Sequence, residues 1–174
     1  MGSAASVRAI GRWDDYVAAI PETQRDLIVG AVAGAWIPVE LAALHYAACD
    51  SLNLGPDVIA ANGRRTFDAI GGTLFGTILK MAKAAGVTPW SFVEQLPRFW
   101  ARSYDGGGIE IVKLGPKEAR ARIVSVSLLD SAYFRHALRG LVVGCLERFC
   151  TKAYMAETHH GRPPGTVTFR MQWA

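Results

Sequence analysis

Trp100-Ala101-Arg102-Ser103-Tyr104-Asp105-Gly106-Gly107-Gly108 is the stretch on which the reading of this chain turns. A helix carrying large aromatic residues runs into three glycines, and alternating apolar residues follow. Glycine lacks Cβ and reaches positive φ readily, so such a run marks a sharp change of chain direction. Before it the sequence reads helical. After it come two strands, one helix and two more strands.

Downstream, Ile109, Ile111 and Lys113 alternate with Glu110, Val112 and Leu114. Gly115-Pro116-Lys117 predicts a turn, and Ala119 to Leu128 alternates again, with one phase slip at Ile123-Val124 that predicts a bulge. Asp130 is placed as the N-cap of a helix whose buried face is Phe134, Leu138, Leu141, Val142, Cys145 and Phe149. Gly140 and Gly144 lie on an adjacent line, where missing side chains let another element approach. Ala153 to Thr158 and Thr166 to Trp173 predict a closing hairpin, with Val167, Phe169, Met171 and Trp173 on one face.

Upstream, Asp14 to Ile20 predicts a short helix ended by Pro21. A second starts at Pro21-Glu22, with Leu27, Ile28, Ala31, Val32 and Ala35 spaced for one buried stripe. Pro38 suits the first turn of a third, Val39 to Leu52. Gly55-Pro56-Asp57 opens a fourth, broken at Gly71-Gly72 and resuming to Ala85. Thr88-Pro89 caps a fifth, which carries Trp90, Phe92, Leu96, Phe99 and Trp100 and is expected to kink or restart at Pro97. The expected fold is therefore α+β: a helical N-terminal half packed on a four-stranded antiparallel sheet, in the order α-α-α-α-α-β-β-α-β-β.

Length and composition narrow the function classes. The 174 residues suit one domain, 1–174, and 51% hydrophobic against 20% charged residues excludes disorder beyond the first few positions. Met1 to Ser6 carries no secretory signal, and apolar stretches such as Leu27 to Leu44 are too interrupted to span a membrane. Three cysteines, an odd number, fit a reducing compartment, so a cytoplasmic protein is expected. The net charge is +4, but the bases from Arg98 onward are scattered singly, so no nucleic-acid partner is expected.

The second half resembles the 4-vinyl-reductase-type small-molecule-binding domains and, more closely, an uncharacterised myxobacterial paralogous family. Both are related in architecture to haem-nitric-oxide-binding domains and to TRAPP subunits. The features that carry this are Leu96-Pro97-Arg98-Phe99-Trp100, Tyr104-Asp105 with Gly106 to Gly108, Leu138-Arg139-Gly140 with Gly144 and Glu147, and the final Phe169-Arg170-Met171-Gln172-Trp173. The resemblance implies a helical lead-in over 1–54 and a ligand-binding-like core over 55–174. Two departures matter. The last hairpin lacks the cysteine pair of vinyl-reductase-type domains, and Arg102-Ser103-Tyr104 reverses the Tyr-Ser-Arg order that haem-binding relatives use. No haem is expected, and no metal.

The residues themselves offer few catalytic arrangements. His45 and Cys49 share a helix face, but two ligands are half a metal site and packing explains them as well. His159-His160 would point to opposite faces of a strand. Cys145 and Cys150 diverge on their helix. The glycine run is no phosphate loop, since it leads from a helix into a strand. The aromatic group says more. The resemblance implies a mainly apolar cavity between helices and sheet, with Phe67, Phe75 and Trp100 as lining and His45, Arg98, Arg102 and Tyr104 as its polar groups. The leading expectation is a non-enzymatic sensor or protein-interaction domain binding a hydrophobic small molecule or lipid, acting through a protein partner or homodimer. A scaffold subunit working by homo- or hetero-dimerisation is the alternative. A small enzyme on apolar substrates is the third, without a visible set of nucleophile, base and orienting group.

Overall fold

Helices α1 (Gly2–Ala9), α2 (Trp13–Ala18), α3 (Glu22–Val29), α4 (Val39–Asp50), α5 (Pro56–Gly71) and α6 (Pro89–Ser103) occupy the first half. Strands β1 (Gly108–Gly115) and β2 (Glu118–Val124) follow, then a 3-10 turn at Ser127–Asp130, helix α7 (Ala132–Leu146), and strands β3 (Ala153–Glu157) and β4 (Val167–Trp173). The computed structural model describes residues 2–31, 35–71, 86–158 and 163–174. The strands form one antiparallel sheet in the order β1-β2-β4-β3. The chain is α+β with a helical N-terminal half, as the sequence predicts.

The opening stretch turns as its glycines require. Gly107 has φ +67°, and a Cβ there would lie 2.4 Å from Val126 Cγ2 and 2.6 Å from the Val124 carbonyl oxygen. A side chain would meet both left-handed strain and the strand end against which the turn packs. Trp100 Nε1 donates to the Gly106 carbonyl at 3.4 Å, tying the end of α6 to the turn.

One inner sheet face supplies most of the apolar core. Ala119, Ala121 and Ile123 of β2 and Val167, Phe169, Met171 and Trp173 of β4 are buried beneath α6 and α7. The period-2 pattern thus puts every second residue of both central strands inside. A second apolar cluster joins α1 to α5 through Val7, Tyr16, Ile20, Ile28, Cys49 and Ile59, and Tyr133 of α7 enters it. Helices α5 and α7 cross between these clusters. A Cβ on Gly63 would sit 2.0 Å from the Ala137 carbonyl oxygen, and one on Gly140 would sit 1.9 Å from that of Ala60.

Several local expectations are corrected. Helix α1 was not foreseen, because only Val7 and Ser6 of its residues are buried and no apolar stripe announces it. Helix α3 ends at Val29, and Leu27 is 63% exposed while Ile28 is buried, so Leu27 does not share the expected buried stripe; Val32 lies outside the described residues. Pro38 is the N-cap of α4, and α6 runs through Pro97 without a restart. No bulge interrupts β2; the strand ends where Ser125 takes φ +61°, and the register shift lies at Lys113/Gly115 of β1. Ser131, and not Asp130, caps α7, its Oγ accepting from Phe134 N at 3.1 Å. Asp130 instead accepts from Gly165 N at 3.0 Å, and so fixes the turn into β4. The resumed helix to Ala85 and the pair His159-His160 lie outside the described residues.

The crossing gives a direct stability test. Gly140→Ala and Gly63→Ala should each destabilise by about 2 kcal/mol or more, because the added methyl meets backbone that cannot rotate away. Gly108→Ala, where a Cβ meets nothing within 4 Å, should change stability by about 0.5 kcal/mol or less. Urea denaturation of the three variants checks the order.

Candidate functional site

A cavity of about 330 Å³ lies between α6, α7 and the inner sheet face. Helix α6 contributes Phe92, Leu96 and Trp100, and α7 contributes Leu138, Leu141, Val142 and Cys145. Ala121 and Ile123 of β2 with Met155 and Met171 form the floor. Met155 and Met171 stand directly opposite each other across the β3–β4 ladder. The small side chain of Ala121 leaves space that a larger residue would fill.

Polar groups are few. Tyr104 stacks on Trp100 with centroids 4.1 Å apart and meets the Phe134 ring edge-on at 5.9 Å. Burial pushes its phenol up to about 12, so it remains a neutral donor. Burial likewise pushes the Cys145 thiol up to about 12, which removes it as a thiolate at neutral pH. Ser103 completes the polar lining at the end of α6.

Of the seven residues proposed from sequence, Trp100 and Tyr104 line this cavity. Arg98 and Arg102 do not. Both are exposed on the outer side of α6, and Arg98 donates to Gln95 Oε1 at 3.3 Å, because the helix turns its apolar face to the sheet. The Phe67 side chain and Phe75 lie outside the described residues. Phe92 and Leu96 precede Trp100 by two helical turns and one on the same α6 face, a spacing already visible in the sequence.

His45 is elsewhere, fully buried in the N-terminal cluster. Its Nε2 lies 2.6 Å from Ser3 Oγ and its Nδ1 lies 2.6 Å from Tyr16 Oη. A neutral imidazole donates through one nitrogen and accepts through the other, so the two hydroxyls satisfy it completely. Cys49 Sγ is 3.9 Å from Nε2, and burial raises both this thiol and the Tyr16 phenol above their usual ranges. The helix-face pairing of His45 with Cys49 is therefore real, but a hydroxyl-bonded packing unit results. Among the described residues no group of three or more His, Cys, Asp or Glu could hold a metal ion. Nor is any described helix long and apolar enough to cross a membrane.

The fold is similar to that of solved H-NOX domains. A variant of the Fe(II) unliganded H-NOX protein from K. algicida is similar with a TM-score of 0.70 at 12% identity, over 99% of this chain and 93% of that one. A variant of the T. tengcongensis H-NOX gives 0.58 at 11% identity, over 98% and 93%. A third neighbour, from a study of haem distortion in the H-NOX family, gives 0.62 at 11% identity over 99% and 91%. Such identities establish the fold. They support the haem-nitric-oxide-binding part of the resemblance read from sequence; the vinyl-reductase, myxobacterial and TRAPP parts are not supported. The sequence matches no family model, and no curated protein resembles it in sequence.

The buried imidazole predicts an acid-dependent loss of stability. Burial lowers the His45 pKa from 6.5 to about 4. Between those values the unfolded chain holds a proton that the folded chain lacks, so stability is full above about pH 6.5 and falls as pH drops toward 4. The loss attributable to His45 is about 3 kcal/mol. His45→Gln should be less stable at pH 7 yet show a flatter decline. Urea midpoints measured across that range for both chains decide it; parallel declines would show that other groups carry the effect.

Proposed function

We propose that this chain is a ligand-binding sensor domain whose ligand is a small apolar molecule, held in the cavity between α6, α7 and the sheet. The observation that carries the reading is the lining: aromatic and aliphatic side chains from two helices and all four strands, with Tyr104, Ser103 and Cys145 as the polar members. Apolar walls with a few placed polar groups are the usual form of small-molecule sites. The likeness to H-NOX folds, whose solved members include haem proteins, favours a sensing role for the same layers.

Haem itself does not fit the donor set. No histidine is among the described residues that line the cavity, and Cys145 is held neutral by burial. His45 has both ring nitrogens engaged by hydroxyls in the other cluster. Among the described residues an iron would find thioethers, a phenol and a neutral thiol, none of which supplies a strong axial nitrogen or thiolate.

Sensing would work by differential binding. A ligand shifts the balance between two arrangements only by the difference of its affinities for them. Tyr104 connects the cavity to both helices, since it stacks on Trp100 of α6 and packs against Phe134 of α7. A ligand that prefers one Tyr104 position changes how the end of α6 presents Phe99, Arg98 and Arg102 to a protein partner.

A second reading has its own observation. Trp36 is 67% exposed, and Leu27 and Val39 are also open to solvent. These apolar side chains favour association through the N-terminal half, as a homodimer or with another protein. Light scattering separates a monomeric sensor from an obligate assembly.

The test uses the apolar fluorophore N-phenyl-1-naphthylamine. The purified chain should enhance its emission saturably, and Ala121→Phe, which fills the floor, should reduce that by roughly tenfold or more in affinity while leaving the circular dichroism unchanged. Expression with a haem precursor supplied should yield no Soret absorption. Stoichiometric haem, or undiminished dye binding by the filled variant, overturns the proposal.

A further inference from the structure

Three sulphur-bearing side chains line the apolar cavity: Cys145 from α7, Met155 from β3 and Met171 from β4. The two methionines face each other in the β3–β4 ladder. Thr158 N donates to the Thr168 carbonyl at 2.8 Å, and Ala174 N donates to the Lys152 carbonyl at 2.9 Å. Hydrogen-bonded pairs therefore fall at even-numbered positions of β3, and Met155–Met171 is a pair of the other kind. Side chains stand closest in such a pair, whose Cα atoms are about 4.5 Å apart. Both thioethers rise together from the inner face of the sheet.

Cys145 lies across the cavity from them. The helix that carries it is tied to β3 at both ends: Arg135 reaches Glu157 at 3.2 Å, and Cys150 Sγ, just past α7, reaches the Lys152 carbonyl at 3.4 Å. Cys145 falls between these ties on the helix, as Met155 does on the strand. Its thiol is also unengaged. Cys150 donates to the Leu146 carbonyl, four residues back, at 3.2 Å. Cys145 has no hydrogen-bond partner among the described residues, although it is only 7% exposed. Met155 is 7% exposed and Met171 is fully buried.

Two thioethers and a thiol are soft donors, and soft sulphur ligands select Cu(I) over magnesium, calcium or manganese. Charge narrows the choice further. A metal ion that binds Cys145 replaces the thiol proton, which leaves to water. Cu(I) and the thiolate then cancel, so no net charge is buried. A divalent ion in the same place would leave one positive charge uncompensated. A ferrous haem, whose iron and macrocycle already cancel, would gain a negative one from the same thiolate. Either is costly in apolar surroundings.

We propose that Cys145, Met155 and Met171 form a three-coordinate Cu(I) site between α7 and the floor of the sheet, with Cys145 bound as thiolate. No electron moves, since copper enters and stays as Cu(I). The site shares the cavity with the apolar ligand but rests on the three sulphurs alone.

Anaerobic titration of the Cu(I)–bicinchoninate complex with the purified chain tests the site. The chain should draw one copper ion per molecule from the chromophore. Met155→Leu and Met171→Leu keep volume and apolarity, and each should weaken binding roughly tenfold. Cys145→Ala should abolish it with the circular dichroism unchanged. Cys150→Ser, at a partly exposed thiol outside the cavity lining, should leave it as it was. X-ray absorption of the loaded chain should show sulphur neighbours only. Full binding by either leucine variant, loss of binding on Cys150→Ser, a nitrogen neighbour, or failure to compete with the chromophore overturns the site. Both leucine variants should bind N-phenyl-1-naphthylamine as the parent chain does, so the copper and dye results stand or fall separately.

Discussion

The close crossing of α5 over α7 is the constraint on which the rest of this structure depends. Each helix brings a glycine to the contact, and each glycine faces the partner's backbone carbonyl with no room for a methyl group. Backbone-to-backbone contact of this kind fixes the separation of two helices more tightly than interdigitated side chains do, because no rotamer can adjust it. Two ion pairs, Arg64–Glu147 and Arg139–Asp57, join the same two helices. Their worth lies in fixing orientation, since exposed pairs add little stability. Asp50, at the end of α4, accepts from Tyr133 N at 2.7 Å and so fastens the first turn of α7 to the N-terminal cluster.

With α7 held in this way, its faces acquire separate tasks. Leu138, Leu141, Val142 and Cys145 turn toward the apolar cavity, whereas Arg139, Gly140 and Val143 turn toward a second concavity, bounded by α5 and β3 and lined by Arg64 and Arg65. Met155 lines both concavities from the sheet beneath. The two therefore share one helix and one flexible thioether, and methionine is the apolar side chain best able to change shape without a packing penalty. Tyr133 faces the third way, into the cluster that contains Tyr16 and Cys49. Burial raises its phenol above the usual range, and among the described residues neither its hydroxyl nor the buried Asn62 amide nitrogen makes a hydrogen bond of normal geometry. That cluster thus carries unpaired polar groups as well as the satisfied His45.

Sequence made the sheet far more legible than the sites. Alternation in β2 and β4 is a strong signal, because burial on one face of a strand leaves little freedom of register. Gly106 to Gly108 announced the turn before β1 for the same kind of local reason. Where one residue had to be chosen among neighbours, tertiary contacts decided: Ser131 took the cap, and Asp130 was drawn away to Gly165. Helix α1 escaped notice because a serine is one of its principal attachments, through Ser3 to His45. The order β1-β2-β4-β3 was likewise unreadable, since two hairpins of equal quality can join by either outer strand. The aromatic ladder that ends at Tyr104 pointed to the cavity. The second concavity could not be foreseen, because Arg64 and Arg139 come together only through the glycine crossing.

The cavity's position relative to that crossing explains why the space can persist in an otherwise close-packed core. Gly63 and Gly140 set how near α7 comes to α5, while Ser131 and Asp50 set where α7 begins. Helix α6 is anchored separately, by Trp90 Nε1 donating to the Pro116 carbonyl at 2.7 Å and by Trp100 at the glycine turn. Two helices fixed by independent contacts cannot both relax onto the sheet, and the small Ala121 beneath them leaves the gap unfilled. A void of this kind forfeits dispersion contacts that a ligand restores on entering. Beyond those anchors the chain leaves α6 at Tyr104, whose ring rests on Trp100 and closes that end of the cavity.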